Sequence, residues 1–224
     1  MHLHTGTHMV EQLFGMQVNM DTIYYTWLAA LIVIIMTFAA TRGRALVPSG
    51  WQNAMEMVVE ALCNQFRDNL GPKYRQVAPI LLTLFLFIFV SNQIGLLPTN
   101  HLIASPTNDV NTTLGLAIFV SLAIHVLYIK NQGFGHWIKH FFQPFVPFVL
   151  VNLIEEISKP VTLAMRLFGN ILAGEILLEI LYNLVAPVVP IIWIAFSLFV
   201  GLIQAYIFTT LSSAYLKGSL TGEH

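Results

Sequence analysis

A single stretch of the sequence, Ser158–Glu175, places ionisable side chains in a strongly apolar background. It holds Lys159, Arg166 and Glu175 among small and apolar residues. A cation in the middle of a bilayer costs from about 3 to more than about 10 kcal/mol, so such a residue usually serves a function. Arginine stays protonated even when it is desolvated, whereas a buried lysine can lose its proton. Arg166 is therefore the candidate for a fixed charge that draws a proton off a carboxylate on a partner.

At about 100° per residue, a helix through this stretch places its polar side chains on two faces. The face of Arg166 also carries Asn152, Glu155, Lys159 and Asn170. The opposite face carries two carboxylates at positions i and i+4, Glu175 and Glu179. We interpret the two faces as two aqueous access paths that the arginine keeps apart.

Two alternatives concern the charged residues of this segment. Arg166 and Glu175 could form a structural ion pair, but their opposite faces on one helix disfavour direct contact. Glu155 and Glu156 either line the path toward the start of the segment or lie among lipid headgroups, and the sequence leaves both open.

The composition places the segment in a membrane protein. Of the 224 residues, 56% are hydrophobic and 9% are charged, against about 25% charged in a soluble domain. The mean hydropathy is +0.72. A net charge of −1 without a basic cluster argues against a nucleic-acid partner. The single cysteine, Cys63, excludes an internal disulfide, and no metal site or cofactor is predicted.

Five apolar runs are long enough to reach across a bilayer of about 30 Å, and none alternates with the period of a β-strand. They cover residues 22–40, 77–97, 112–129, 145–182 and 184–216. About 35 helical residues reach roughly 50 Å, so the last two runs must tilt strongly or bend. Pro160 marks a plausible bend. A short, proline-bearing connection predicts that these two helices form an antiparallel hairpin. The predicted fold is an all-α polytopic membrane protein of one domain.

The basic residues set the predicted orientation. Apart from Lys159 and Arg166, they all follow the first, third or fifth run, at Arg42, Arg44, Arg67, Lys73, Arg75, Lys130, Lys139 and Lys217. By the positive-inside rule, those connections are cytoplasmic, the N-terminal segment 1–20 lies outside and the C-terminus lies inside. We expect a multi-pass membrane protein with this orientation.

Residues 51–69 have apolar positions at helical spacing and a polar opposite face, which predicts an amphipathic helix on the cytoplasmic surface. Its polar face either docks a peripheral partner or serves simple anchoring, which the pattern favours. In the outer loop, Asp109 is expected to cap the helix that follows, with an ion entrance as the alternative. His125 is interpreted as an interfacial histidine.

Two polar residues of the last run, Ser197 and Gln204, are seven residues apart and share a face. In an antiparallel hairpin, Gln204 could lie opposite Arg166 and form a hydrogen bond with it.

Three parts of the sequence resemble subunit a of rotary F-type ATP synthases. They are Ser158-Lys159-Pro160 through Arg166-Leu167-Phe168-Gly169-Asn170 to Ala173-Gly174-Glu175, the later run Gln204-Ala205-Tyr206-Ile207-Phe208, and the outer-loop run Ser105-Pro106-Thr107-Asn108-Asp109-Val110-Asn111-Thr112-Thr113-Leu114. The resemblance covers four spans and, more loosely, the whole chain. It implies a stator in the bilayer beside a ring of c subunits, with peripheral-stalk b subunits and the rest of the synthase as partners.

The resemblance also implies roles for individual residues. Arg166 matches the essential arginine, Glu175 a half-channel group, Asn170 a channel-lining residue and Gln204 the neighbour of the arginine. Some family members have a histidine where this sequence has Ser197. Because serine cannot take a charge, water or the Glu175 and Glu179 pair would have to relay protons here.

The leading hypothesis is therefore ion translocation coupled to rotation, with protons as the transported ion and sodium as an alternative. The chain is not expected to be an enzyme on its own, since it has no glycine-rich phosphate loop. The competing hypothesis is a free-standing secondary transporter. Such folds usually contain internal repeats, and the arginine motif occurs once.

Overall fold

The computed structural model describes residues 10–13, 16–42, 49–96, 105–142, 145–184 and 188–221. Within these ranges the chain forms a short β-hairpin, β1 (Val10–Leu13) and β2 (Met16–Asn19), followed by α-helices. The helices are α1 (Met20–Thr41), α2 (Gly50–Leu70), α3 (Ala78–Ile94), α4 (Val110–Gln132), α5 (Phe134–Phe141), α6 (Val149–Leu184) and α7 (Val188–Thr221). Short 3₁₀ turns lie at Gly71–Gln76, Pro106–Asn108 and Val146–Phe148.

The helical architecture confirms the predicted class, an all-α polytopic membrane protein. Among the described residues, four helices are by themselves long and apolar enough to cross a bilayer: α1, α4, α6 and α7. The predicted second span is α3, which has 17 residues. It follows α2 and its 3₁₀ turn at a bend of 117°, and this bent pair would bring the number of spans to five. A five-span topology therefore stays a prediction.

The amphipathic helix α2 contacts α7 and leads into α3. Met55, Leu62 and Phe66 are buried on its apolar face. Its Asn69 side chain donates a hydrogen bond to Ser213 Oγ of α7 at 2.8 Å. The helix ends at Gly71, whose φ of 61° is a conformation that residues with a side chain rarely adopt. This glycine turns the chain from α2 toward α3.

The two longest helices, α6 and α7, run antiparallel. With 36 and 34 residues, they extend about 50 Å each. Trp193 Nε1 donates a hydrogen bond to the Gly174 carbonyl at 3.1 Å. Farther along, Lys159 Nζ lies 5.9 Å from the centre of the Tyr215 ring. Since residue numbers rise on one helix as they fall on the other, α6 and α7 form the expected hairpin. The connecting residues 185–187 lie outside the described part of the chain, and the tilt stays a prediction.

The bundle has two ends, which we name by their secondary structure. At the β-hairpin end, Asn19 and Thr22 donate hydrogen bonds to Asp109 Oδ2, at 2.7 and 3.1 Å. At the α2 end, Lys73 Nζ reaches the Leu220 carbonyl at 2.6 Å. The β-hairpin was not foreseen in the N-terminal segment 1–20, of which residues 1–9 and 14–15 lie outside the described ranges.

The hydrophobic core is centred on α3. Its buried side chains include Leu81, Phe85 and Ile88, and they pack with Leu167 of α6 and Phe208 of α7. Before Ser91, the sequence of α3 is apolar on all faces except for Thr83, and a helix that is apolar all round is buried inside a larger bundle. The core thereby fixes α6 and α7, the helices that carry the candidate site residues.

Candidate functional site

Arg166 lies on an exposed stripe of α6. Ser158, Thr162, Gly169 and Ala173 lie on the same side of the helix and are also exposed. A Cβ atom added at Gly169 would meet no other atom within 4 Å. These small side chains leave the arginine in an open, shallow surface. Glycine, alanine, serine and threonine let a second helix approach closely in a membrane.

The arginine has no structural ion pair in the described part of the chain: neither a salt bridge nor a hydrogen bond reaches its guanidinium there. Gln204 is half-buried on α7. It forms no hydrogen bond with Arg166 among the described residues, so the expected contact between them is not made in the isolated chain. The alternative of a structural ion pair between Arg166 and Glu175 is thereby without support in the described part of the chain.

A cavity of about 250 Å³ lies between α6, α7 and the end of α3. It brings together three of the predicted site residues, Asn170, Glu175 and Ser197. Asn92 of α3 adds a polar group that was not predicted as a site residue. The cavity differs from the helical-wheel expectation, which placed Asn170 with Arg166 and apart from Glu175. Asn170 connects the cavity with the arginine, since it lines the cavity and lies one helical turn from Arg166.

Glu175 is held by the segment that precedes α4. Its Oε2 accepts a hydrogen bond from Asn108 Nδ2 at 2.6 Å. Its Oε1 is buried and has no hydrogen-bond partner among the described residues. Gly95 passes so close that an added Cβ would lie 2.8 Å from Oε1 and 2.7 Å from the Ser105 backbone nitrogen. The carboxylate therefore sits between α6 and the 3₁₀ turn at Pro106–Asn108.

A chain of buried polar groups supports this turn. Thr107 Oγ1 donates to Asn92 Oδ1 at 2.7 Å, and Asn92 Nδ2 donates to the Gly201 carbonyl of α7 at 2.9 Å. Ser105 Oγ donates to the Ser91 carbonyl at 2.8 Å. Sequence reasoning missed Asn92, Thr107 and Asn108 as site residues. The available signal was the polar run that ends the otherwise apolar second span.

Glu179 lies one turn beyond Glu175 and is buried, with 5% of its surface exposed. It does not line the cavity with Glu175. The structure thus brings Glu175 together with Ser197 and Asn170, and it leaves Glu179 in the interior next to them.

Toward the α2 end, the polar trail of α6 forms a charged cluster. Lys159 Nζ contacts Glu155 at 3.2 Å and Glu156 at 3.4 Å. Glu156 Oε1 also lies 3.5 Å from His125 Nε2 of α4. Trp137 Nε1 donates to His125 Nδ1 at 3.2 Å. Since Nδ1 accepts this bond, a neutral imidazole carries its proton on Nε2, toward Glu156. His125, interpreted from the sequence as an interfacial histidine, is thus also a member of this charged cluster.

Asn152 and Asp109 have structural roles at opposite ends of the bundle. Asn152 Nδ2 donates to the Phe141 carbonyl at 2.9 Å and so ties α5 to the start of α6. Asp109 is the N-cap of α4 and accepts a hydrogen bond from the Asn111 backbone at 2.8 Å. With its further bonds from Asn19 and Thr22, Asp109 is buried. Capping, the favoured interpretation of Asp109, describes what this side chain does here.

In this membrane bundle, an arginine lies on an open stripe of a long helix, one turn from a polar cavity. This arrangement is typical of proteins that move ions across a bilayer. Comparison with known proteins specifies the class. Residues 23–217 match the model of the family described as ATP synthase A chain. The chain is also 42% identical over 215 residues to ATP synthase subunit a of Desulforamulus reducens, covering 92% of this chain and 81% of that protein.

The chain therefore belongs to the ATP synthase A chain family. Membership makes it a non-catalytic membrane subunit of an F-type ATP synthase, on the ion-translocating Fo side of the complex. ATP synthesis, proton or ion transport and a multi-pass membrane location follow from this assignment and agree with the long apolar helices.

Proposed function

We propose that this chain is the stator face of an Fo motor, with Arg166 positioned to meet the ion-binding carboxylates of a c-subunit ring. The observation that carries the proposal is the exposed guanidinium on a stripe of small residues of α6, which has no ion pair or hydrogen bond within the described ranges. An uncompensated arginine at membrane depth is costly. A carboxylate brought alongside by another subunit would compensate it.

The cavity on the β-hairpin side is proposed as one half-channel. Glu175, Asn170 and Ser197 line it together, and water there would lead protons toward the ring. Because Ser197 cannot take a charge, Glu175 is the titratable group of this path. This half-channel ends at Asn170, one helical turn before Arg166.

The charged cluster at the α2 end is proposed as the polar trail of the second half-channel. Glu156 contacts both Lys159 and His125, so it links α6 to α4 on the way from Arg166 to that surface. Following the positive-inside rule, the α2 end is cytoplasmic and the β-hairpin end is outside the bacterial plasma membrane. We propose protons as the transported ion, and b subunits as further partners.

Arg166 would separate the two paths electrostatically. A ring carboxylate arriving protonated loses its proton near the arginine, because the opposite charge favours the ionised form. The same charge repels a cation that would otherwise pass directly from one path to the other. Each elementary charge that crosses gains about 2.3 kcal/mol per 100 mV of membrane potential. Coupling of several such crossings to rotation would drive the synthesis of one ATP.

The experiment compares Arg166→Ala with Arg42→Ala in inverted membrane vesicles that contain the whole synthase. Arg42 is the control, since it is an exposed arginine near the end of α1 and away from the site. We expect normal assembly of both variants, and loss of ATP-driven proton pumping for Arg166→Ala alone. Pumping at the wild-type rate by Arg166→Ala would overturn the proposal. Substrate uptake driven by the purified chain without partners would favour a secondary transporter instead.

The ion is tested separately. Carbodiimide modifies a protonated ring carboxylate, and bound sodium protects it. We expect sodium to leave the labelling rate unchanged when pH is held constant. Protection at millimolar sodium would replace the proton with sodium and leave the stator role of Arg166 intact.

A further inference from the structure

One contact of Glu175 goes beyond the proposed half-channel, although the inference from it rests on that function. Asn108 lies on the 3₁₀ turn before α4, 67 residues away in sequence, and its Nδ2 donates to Glu175 Oε2 at 2.6 Å. Asn108 retains 3% of its surface exposed. An asparagine side chain held this deeply against a carboxylate is a fixed partner of that group and not a surface residue that happens to be near.

The oxygen atom of the same side-chain amide accepts no hydrogen bond within the described ranges. Asn108 Oδ1 is buried and has no hydrogen-bond partner among the described residues. Glu175 Oε1 is also buried without a hydrogen bond of good geometry among the described residues, with the Ser105 backbone N–H beside it. A buried polar atom without a partner is costly. Here the two oxygens belong to two side chains that already contact each other, so a proton taken up by Glu175 would give the Asn108 oxygen a donor.

We propose that Asn108 is the positioning residue that receives Glu175 in both of its protonation states. When Glu175 is ionised, Asn108 Nδ2 donates to the carboxylate. When Glu175 takes a proton from water in the cavity, it becomes a carboxylic acid with one O–H donor. Rotation of the Asn108 amide by about 180° then presents Oδ1 as the acceptor of that O–H. Loss of the proton toward the ring restores the first arrangement, and no proton passes onto Asn108.

The neighbouring residues hold the backbone of Asn108 in place, while its side-chain amide remains able to rotate. Asp109 caps α4 immediately after Asn108, and Thr107 immediately before it is hydrogen bonded to Asn92. Gly95 lies directly beside the Glu175 carboxylate, since an added Cβ there would lie 2.8 Å from Oε1. Asn108 and Glu175 are thus confined to each other. A partner that serves both charge states lowers the free-energy difference between them and so lets the group take up and release protons repeatedly.

The test is a double-mutant cycle in the assembled synthase. The variants are Asn108→Leu, Glu175→Gln and the double substitution, with Asn111→Leu as the control. Leucine has nearly the shape of asparagine without its hydrogen-bonding groups, and Asn111 is exposed at the start of α4. The measurement is passive proton flux through membranes stripped of the catalytic sector, recorded against pH, together with the amount of assembled complex.

We expect Asn108→Leu to reduce the flux roughly tenfold, since hydrogen bonds to charged groups are worth about that factor or more. We also expect it to change the pH profile. In the Glu175→Gln background, Asn108→Leu should have no further effect, because a positioning residue acts through the group it holds. Asn111→Leu should match the wild type.

Two outcomes would overturn the inference. If Asn108→Leu lowers the flux equally in both backgrounds, Asn108 only supports the fold. If it leaves both flux and pH profile unchanged at full assembly, it does not position Glu175. Neither outcome bears on the stator proposal, which is tested separately by the pumping of Arg166→Ala.

Discussion

Arg166 and Glu175 lie nine residues apart on one helix, yet they face different surroundings. The arginine is exposed on an open stripe of α6, whereas Glu175 lines a cavity and accepts a hydrogen bond from Asn108 at 2.6 Å. Nine helical residues correspond to about 13 Å along the axis and to opposite faces. A proton on Glu175 therefore cannot pass directly to the arginine side of this helix, and a third group must carry it there.

Gly95 is predicted to be essential for the placement of Glu175. In Gly95→Ala, the new Cβ would lie 2.7 Å from the Ser105 backbone nitrogen, and backbone atoms cannot move aside as a flexible side chain can. Overpacking of this kind costs about 1–3 kcal/mol. We expect ATP-driven pumping to fall several-fold. Gly115→Ala on α4 is the control, since its Cβ would meet no other atom within 4 Å. Equal pumping by the two variants would contradict the prediction.

Asp109 is predicted to stabilise the bundle without taking part in ion transport. Asp109→Ala removes the cap of α4 and the acceptor for Asn19 and Thr22. Loss of an N-cap costs about 1 kcal/mol, and buried hydrogen bonds to a charged group add about 1.5–3 kcal/mol. The thermal unfolding midpoint of the complex should therefore drop. Asp109→Asn, which can still cap the helix, should drop it less.

The pH profile of pumping distinguishes this role from an ion entrance. If Asp109 only holds the fold, complexes that assemble with Asp109→Asn should keep the wild-type profile. A changed profile at wild-type stability would make Asp109 part of the path.

Glu155 and Glu156 are predicted to differ, although both contact Lys159. The Glu155 side chain is 61% exposed, whereas that of Glu156 is 15% exposed and also reaches His125. Exposed ion pairs contribute about 0–1 kcal/mol, so Glu155→Gln should pump almost as well as the wild type. Glu156→Gln should pump several-fold more slowly. Measurement of both variants in the same vesicles checks this, and the reverse order of the two rates would refute it.

Much of the site within α6 could be predicted from the sequence, because the position of a residue on a helix follows from its number. The opposite faces of Arg166 and Glu175 and the capping role of Asp109 are of this kind. Asn108 appeared only as part of the outer-loop run, and its contact with Glu175 depends on how the turn before α4 packs against α6. Helical periodicity carries no information about such a contact between segments.

The expected hydrogen bond between Gln204 and Arg166 is a case that the sequence did not predict correctly. The antiparallel hairpin brings this part of α7 near Arg166, but the register of side chains across two helices is set by packing, which a sequence pattern leaves open. The cavity likewise depends on α3: its polar residue Asn92 is visible in the sequence, but the apolar residues before it give no sign of which face meets α7. The sequence indicated the half-channel residues one by one, whereas only the fold shows which of them line a common cavity.

The central claim is that the stripe of α6 around Arg166 faces a moving ring. Cysteine crosslinking in the assembled synthase tests this most directly, after replacement of Cys63, the single native cysteine, by serine. A cysteine at position 169 would lie in open space on that stripe, and a second cysteine is placed beside the ring carboxylate. Ile34→Cys on α1 is the control, since Ile34 is also exposed, at 62%.

We predict that Gly169→Cys forms a disulfide with the ring, that the disulfide stops ATP-driven proton pumping, and that a reducing agent restores it. Ile34→Cys should form none. A crosslink from Ile34→Cys but not from Gly169→Cys, or pumping that continues with the ring covalently joined at position 169, would contradict the account.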